Sequence, residues 1–176
     1  MKFKSLTNCF QFTVLNPYNE GGWSTNEQYK LALNDELILK LALVHDLVEV
    51  YAGDTDGHGD KDKIAAKEKK EMRAFEMLKK EYGQFEQMLV AIEKYEKREV
   101  PEAQLVYLMD KVIPDINIHS SKSDYYRSRK VNFDGWKKWL LNKISITPLS
   151  PKLKPLMDEI ISEIEDRSQD IFYKGG

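Results

Sequence analysis

Cysteine is nearly absent from this chain, because Cys9 is the only one among 176 residues. A single cysteine cannot form an internal disulfide, so the disulfide-stapled scaffolds are excluded, and we expect a reducing compartment. Apolar runs of the 18 residues that a membrane span needs are also missing. The first 15 residues lack the continuous apolar core of a signal peptide. We therefore expect a cytoplasmic protein that neither crosses nor binds a membrane.

An excess of charge of either sign is missing as well. The chain has 27 basic and 29 acidic residues, a formal net charge of −2, and basic residues interspersed among acidic ones. This balance gives no electrostatic reason to expect a nucleic-acid partner. The sequence also has no phosphate-binding P-loop, no dinucleotide fingerprint and no Cys-X-X-Cys pair.

Alternating strand patterns are absent after residue 35, and helical periodicity takes their place. We predict a single all-α domain over residues 1–176, whose first 33 residues are atypical, with residues 1–25 irregular. Asn34 or Asp35 is the expected N-cap of a first helix that ends at Gly53. Further helices are predicted over residues 61–82, 85–96, 100–116, 133–141 and 153–171.

The most informative stretch is Leu43–Thr55, where three charged side chains interrupt an apolar helical run. Charged groups are rarely buried unless they are paired or bind a metal. His45 and Glu49 are four residues apart and share a helix face, and Asp46 is adjacent to His45 in the sequence. A divalent ion would accept the imidazole nitrogen and neutralise the carboxylate. Alternatively, His45 is a hydrogen-bonded core histidine.

Asp110 is a second acid within an apolar helical pattern. A salt bridge with Lys111 or a remote arginine would explain it, and so would a role as a third metal ligand beside His45 and Asp46. Glu49 is either an exposed helix carboxylate or a general acid or base beside the ion. Asp54 is either a turn-capping side chain or part of the site.

Other candidates carry less weight. The loop at residues 54–62 resembles a calcium loop, but its twelfth position is Ala65, where an EF-hand has a bidentate glutamate. We expect His58 and His119 to be surface or loop residues, and Trp136 and Trp139 to belong to the core.

The segments Leu43–Thr55 and Val106–Pro114 together resemble the HD-domain metal-dependent phosphohydrolases, in particular the 5′-deoxynucleotidases, and the similarity spans residues 34–165. The resemblance implies an HD-domain helical bundle with one divalent ion, such as Co²⁺, Mn²⁺, Mg²⁺ or Zn²⁺. His45, Asp46 and Asp110 match the metal-ligand positions, and Glu49 matches the catalytic carboxylate. Asp54 matches an acid near the leaving sugar oxygen and the attacking water. The implied activity is hydrolysis of (deoxy)nucleoside 5′-monophosphates by a homodimer.

The chain departs from the family pattern at one ligand. The family has a further metal-binding histidine on the preceding helix, whereas the histidines here are His45, His58 and His119, none of them upstream of His45. Gln28 is too close to His45 to replace it, because an intervening helical hairpin needs about twice their separation. We expect weakened metal affinity and uncovered apolar surface on the His45 helix. A catalytically inactive HD fold that binds nucleotides or proteins is the alternative.

Overall fold

The computed structural model describes residues 25–53, 61–145, 148–166 and 168–174, and this part of the chain is helical without strands. The predicted all-α class is confirmed. Its α-helices are α1 (Thr25–Gln28), α2 (Asp35–Val44), α3 (Glu49–Ala52), α4 (Lys61–Tyr82), α5 (Glu86–Lys97), α6 (Pro101–Ser120), α7 (Tyr125–Ser128), α8 (Phe133–Ile144), α9 (Lys154–Asp166) and α10 (Ser168–Ile171). A 3₁₀ turn at Pro151–Leu153 precedes α9.

The helix that carries His45 begins and ends as the sequence predicts. The Asn34 side chain caps α2 by accepting a hydrogen bond from the Leu37 N–H at 3.0 Å. Gly53 ends α3 with φ +75°, a backbone conformation that residues with a Cβ rarely adopt.

The interior of this segment is not the continuous helix that we predicted. Residues 45–48 form a turn between α2 and α3. The N–H of Leu47 bonds to the carbonyl of Val44, and that of Glu49 to Asp46, each three residues back. Such bonds are typical of the tighter 3₁₀ turn, in which residues three apart eclipse one another. The tightening therefore changes which side chains share a face.

The C-terminal prediction was also wrong in detail. A single helix over residues 153–171 was expected, and the structure divides it into the 3₁₀ turn, α9 and α10. The short helices α1 and α7 were not predicted. The predictions for residues 1–24 are not tested, because these residues lie outside the described part of the chain.

The core forms where α2 packs against α5 and α6, while α4 covers α3. Leu41, Ile92 and Leu108 are fully buried at this junction. A second part of the core surrounds the C-terminal half of α6. Its largest member is Trp136, which is fully buried as predicted, whereas Trp139 is only half-buried against the core.

A buried carboxylate that the sequence did not indicate joins α6, α7 and α8. Asp115 is 1% exposed. It accepts hydrogen bonds from the Tyr126 hydroxyl at 2.5 Å and from Trp136 Nε1 at 2.9 Å. Burial raises the pKa of Asp115 to about 7, although both hydrogen bonds act in the opposite direction.

The segment around His45 leaves apolar side chains uncovered, as expected. Leu43 is 78% exposed, Val50 is 74% exposed and Leu39 is 48% exposed. No described helix has the length and apolar character that crossing a bilayer requires.

Candidate metal centre

His45 caps the C-terminus of α2, and its ring is oriented by the backbone. Its Nδ1 lies 2.8 Å from the carbonyl oxygen of Ala42. A carbonyl oxygen can only accept, so Nδ1 carries a proton and donates it. In the neutral ring the lone pair is then on Nε2, which is the atom that a metal would bind. The edge of the ring packs against Tyr95, with centroids 6.0 Å apart.

Two carboxylates face His45 Nε2, one from the next residue in the turn and one from α6. Asp46 Oδ2 lies 3.0 Å from Nε2, and Asp110 Oδ1 lies 4.0 Å from it. One potential ligand atom from each of the three residues lies within 4.8 Å of the other two. At metal–ligand distances of about 2.1 Å, adjacent ligands of an octahedral ion are about 3.0 Å apart and opposite ligands about 4.2 Å. The two distances from His45 Nε2 fall in this range, and the three residues form a group that could hold one metal ion.

Asp110 also makes a salt bridge with Lys111, which is the alternative explanation for this acid. Lys111 Nζ lies 2.5 Å from Asp110 Oδ2, which leaves Oδ1 toward His45. The two readings of Asp110 are thus compatible, because each oxygen serves one partner. With His45 neutral, two carboxylates and one ammonium leave a charge of −1, which favours a cation.

A proline removes one backbone hydrogen bond from the helix that carries Asp110. Pro114 lies within α6, four residues after Asp110. Proline has no N–H, so the Asp110 carbonyl lacks its ordinary helical hydrogen bond.

Of the two predicted catalytic residues, only Glu49 lies in the described part of the chain. Glu49 is half-buried at the start of α3 and does not belong to the three-residue group. Asp54 lies outside the described residues, as does most of the calcium-like loop at 54–62.

A cavity of about 230 Å³ adjoins the cluster and reaches His45 and Asp110. Its remaining lining residues are Thr25, Ile38, Ala42, Leu105, Val106, Met109, Ile113 and Pro114. Thr25 is 2% exposed, and its hydroxyl has no hydrogen-bond partner among the described residues. The described lining is thus apolar apart from this hydroxyl and the two cluster residues.

Tyr95 and Thr25 were missed by the sequence reasoning. The Tyr95 ring packs against His45, and burial, with a smaller effect of the Asp110 charge, raises the pKa of Tyr95. Its signal was available, since Tyr95 is three residues after Ile92 on the inward face of α5. Thr25 had no such signal, because it lies in a segment without periodicity.

The comparison with protein families agrees with this geometry. The family model described as HD domain matches residues 22–145, which include all three residues of the cluster. The chain belongs to the HD-domain family. HD domains are typically metal-dependent phosphohydrolases that bind divalent ions, and the three-residue cluster could hold such an ion. Neither the curated proteins nor the solved structures contain a match to this chain.

Proposed function

We propose that this HD domain is a metal-dependent phosphomonoesterase that hydrolyses (deoxy)nucleoside 5′-monophosphates to nucleoside and phosphate. The observation that carries the proposal is the convergence of His45, Asp46 and Asp110 within 4.8 Å. The nucleotide substrate rests on the resemblance of Leu43–Thr55 and Val106–Pro114 to the 5′-deoxynucleotidases.

The chain's own residues prepare the site in three ways. The Ala42 carbonyl holds the His45 ring with Nε2 toward the carboxylates, and Lys111 holds one oxygen of Asp110. The Asp46 side chain is 64% exposed, so the cluster is open to solvent and to a phosphate on that side. A bound divalent ion would polarise the phosphate and lower the pKa of a water molecule.

The proton transfers are assigned to Glu49 and Asp54. The water oxygen bonds to phosphorus, the ester P–O bond breaks, and the departing oxygen takes a proton. Glu49 accepts the proton of the water, and Asp54 supplies one to the leaving oxygen. Glu49 is not one of the three residues that could hold the ion, and a general base beside a metal-bound water does not have to be a metal ligand.

A non-catalytic HD fold is the second candidate function, and the histidine content of the sequence favours it. No histidine precedes His45 in the sequence, so the cluster lacks the upstream ligand of the family pattern. An HD fold that binds nucleotides or a protein without turnover would have this feature.

The direct test is phosphate release from deoxynucleoside 5′-monophosphates by the full chain with Co²⁺, Mn²⁺ or Mg²⁺. We expect release that depends on the metal and disappears in the His45→Ala variant. Release no greater than that of the variant with every metal would overturn the proposal. Calorimetry that then shows nucleotide binding would support the non-catalytic alternative.

We also propose that the protein is a homodimer through the exposed apolar side chains Leu39, Leu43 and Val50. A Leu43→Asp substitution is expected to shift the mass measured by light scattering from dimer to monomer, since it adds an unpaired charge to the interface. Val90→Asp is the matched control, because Val90 is 51% exposed on α5. A monomeric wild-type protein at high concentration would refute this assembly.

A further inference from the structure

Lys111 places a positive charge directly beside the candidate metal ligands. Its Nζ lies 2.5 Å from Asp110 Oδ2, whereas Asp110 Oδ1 is the oxygen that lies 4.0 Å from His45 Nε2. The side chains of Lys111 and Asp110 are 26% and 25% exposed, so both reach the surface of the protein. A molecule that approaches the cluster from solvent can therefore contact this ammonium group.

A neighbouring aromatic ring also attracts the Lys111 ammonium. Tyr107 precedes Lys111 by four residues on α6, and its ring centroid lies 5.1 Å from Lys111 Nζ. Arg98 Cζ lies 4.4 Å from the centroid of the same ring. A cation near an aromatic ring is attracted electrostatically by the ring. Lys111 therefore has a second partner at the site, and Asp110 alone does not determine the position of its ammonium group.

The balance of charge at the cluster gives Lys111 a role toward a phosphate. With His45 neutral, two carboxylates and one ammonium have a net negative charge, and a divalent ion would make it positive. A phosphomonoester has a second pKa of about 6, so it is nearly a dianion at pH 7. Its charge would exceed what the ion leaves uncompensated, and the excess would be larger without Lys111. The ammonium thus offsets part of the phosphate charge.

We infer that Lys111 binds the phosphoryl group of the substrate, by donating hydrogen bonds from Nζ to phosphoryl oxygens beside Asp110. The inference rests on the proposed function for the identity of the substrate. Lysine suits this role because it is a point charge with three donors on a flexible stem. The ligand class is a phosphomonoester dianion, or the inorganic phosphate that its hydrolysis releases.

Inorganic phosphate tests this inference without turnover, because it is the product of every phosphomonoester. The full chain is loaded with one equivalent of Mn²⁺, and phosphate binding is measured by isothermal titration calorimetry. Lys111→Met removes a charged hydrogen-bond donor, so it should bind phosphate at least about tenfold more weakly than the wild type. Lys111→Arg keeps the charge and should retain most of the affinity. Both variants should keep the bound Mn²⁺.

Arg98→Met is the matched control, because it removes a positive charge from the same Tyr107 ring. The Arg98 side chain donates to the Glu96 carbonyl and pairs with no carboxylate of the described cluster. This variant should bind phosphate within about twofold of the wild type, since an exposed charge without a direct contact contributes little.

The possible results separate the inference from the proposed function. Lys111-dependent phosphate binding in a protein that releases no phosphate from nucleotides would refute the proposed function alone. Absence of phosphate binding by the wild type, or equal affinity in Lys111→Met, would overturn the inference even if nucleotides are hydrolysed. Equal losses in Lys111→Met and Arg98→Met would also overturn it, because the effect would then be general electrostatics. Loss of Mn²⁺ from Lys111→Met would do the same, since Lys111 would then act by holding Asp110.

Discussion

Replacing Asp110 with asparagine is expected to lower metal-dependent phosphate release at least about a hundredfold. Even residues that only support metal ligands typically contribute tenfold to a hundredfold to metal affinity or activity, so loss of a ligand should cost no less. The amide is neutral and binds a divalent ion more weakly than a carboxylate does. The substitution also removes one of the two negative charges that face His45 Nε2.

The measurement pairs phosphate release with the metal content of the purified protein. Lys111→Met is the matched control, because it breaks the same salt bridge from the other side and leaves the Asp110 carboxylate in place. If Asp110 is a ligand, metal is lost in Asp110→Asn and retained in Lys111→Met. If Asp110 serves only to pair with Lys111, the two variants should have the same metal content. That result would refute the assignment of Asp110 as a metal ligand.

The cluster could be predicted from sequence because its residues are anomalies. His45, Asp46 and Asp110 each interrupt an apolar helical pattern, and charged groups in such a pattern are expected to have a partner; His45 and Asp110 are partly buried, whereas Asp46 is exposed. The pattern also fixes the ends of the segment, through the Asn34 cap and Gly53. These signals are local, so a single sequence contains them.

The position of Glu49 could not be predicted in the same way. Ideal α-helical spacing places it beside His45, but hydrogen bonds three residues back tighten residues 45–48. Nothing in the side chains of this stretch excludes an ordinary helix, so the sequence does not indicate the tightening. The four-residue helices α1 and α7 were missed because helices of this length are not stable in isolation and span barely one turn, too short for an apolar pattern to repeat.

Asp115 shows the other limit of sequence reasoning. Its partners Tyr126 and Trp136 follow 11 and 21 residues later, on different helices. The acid is therefore recognisable as buried only when α7 and α8 fold back onto α6. Once the three are together, the carboxylate makes protein stability dependent on pH, through the linkage between proton binding and folding.

Wild-type protein should lose stability as the pH rises from 5 to 8, and Asp115→Asn should not show this component. The pKa of Asp115 is raised from 3.8 to about 7 on folding, mainly by burial. A raised folded pKa means that the stabilisation is fully present below the unfolded pKa and is lost as the pH rises through about 7. Between pH 5 and 8 the loss is roughly 2–3 kcal/mol, since each pKa unit corresponds to about 1.4 kcal/mol.

The asparagine variant keeps two hydrogen bonds, because its amide oxygen accepts from Trp136 and its amide group donates to the Tyr126 oxygen. Thermal melts at several pH values should show Tm of the wild type falling by roughly 5–10 °C relative to Asp115→Asn between pH 5 and 8. Asp158→Asn, at an exposed position on α9, is the control for removal of a carboxylate. Parallel pH profiles of wild type and Asp115→Asn would mean that Asp115 stays ionised in the core, with Tyr126 and Trp136 fully offsetting its burial.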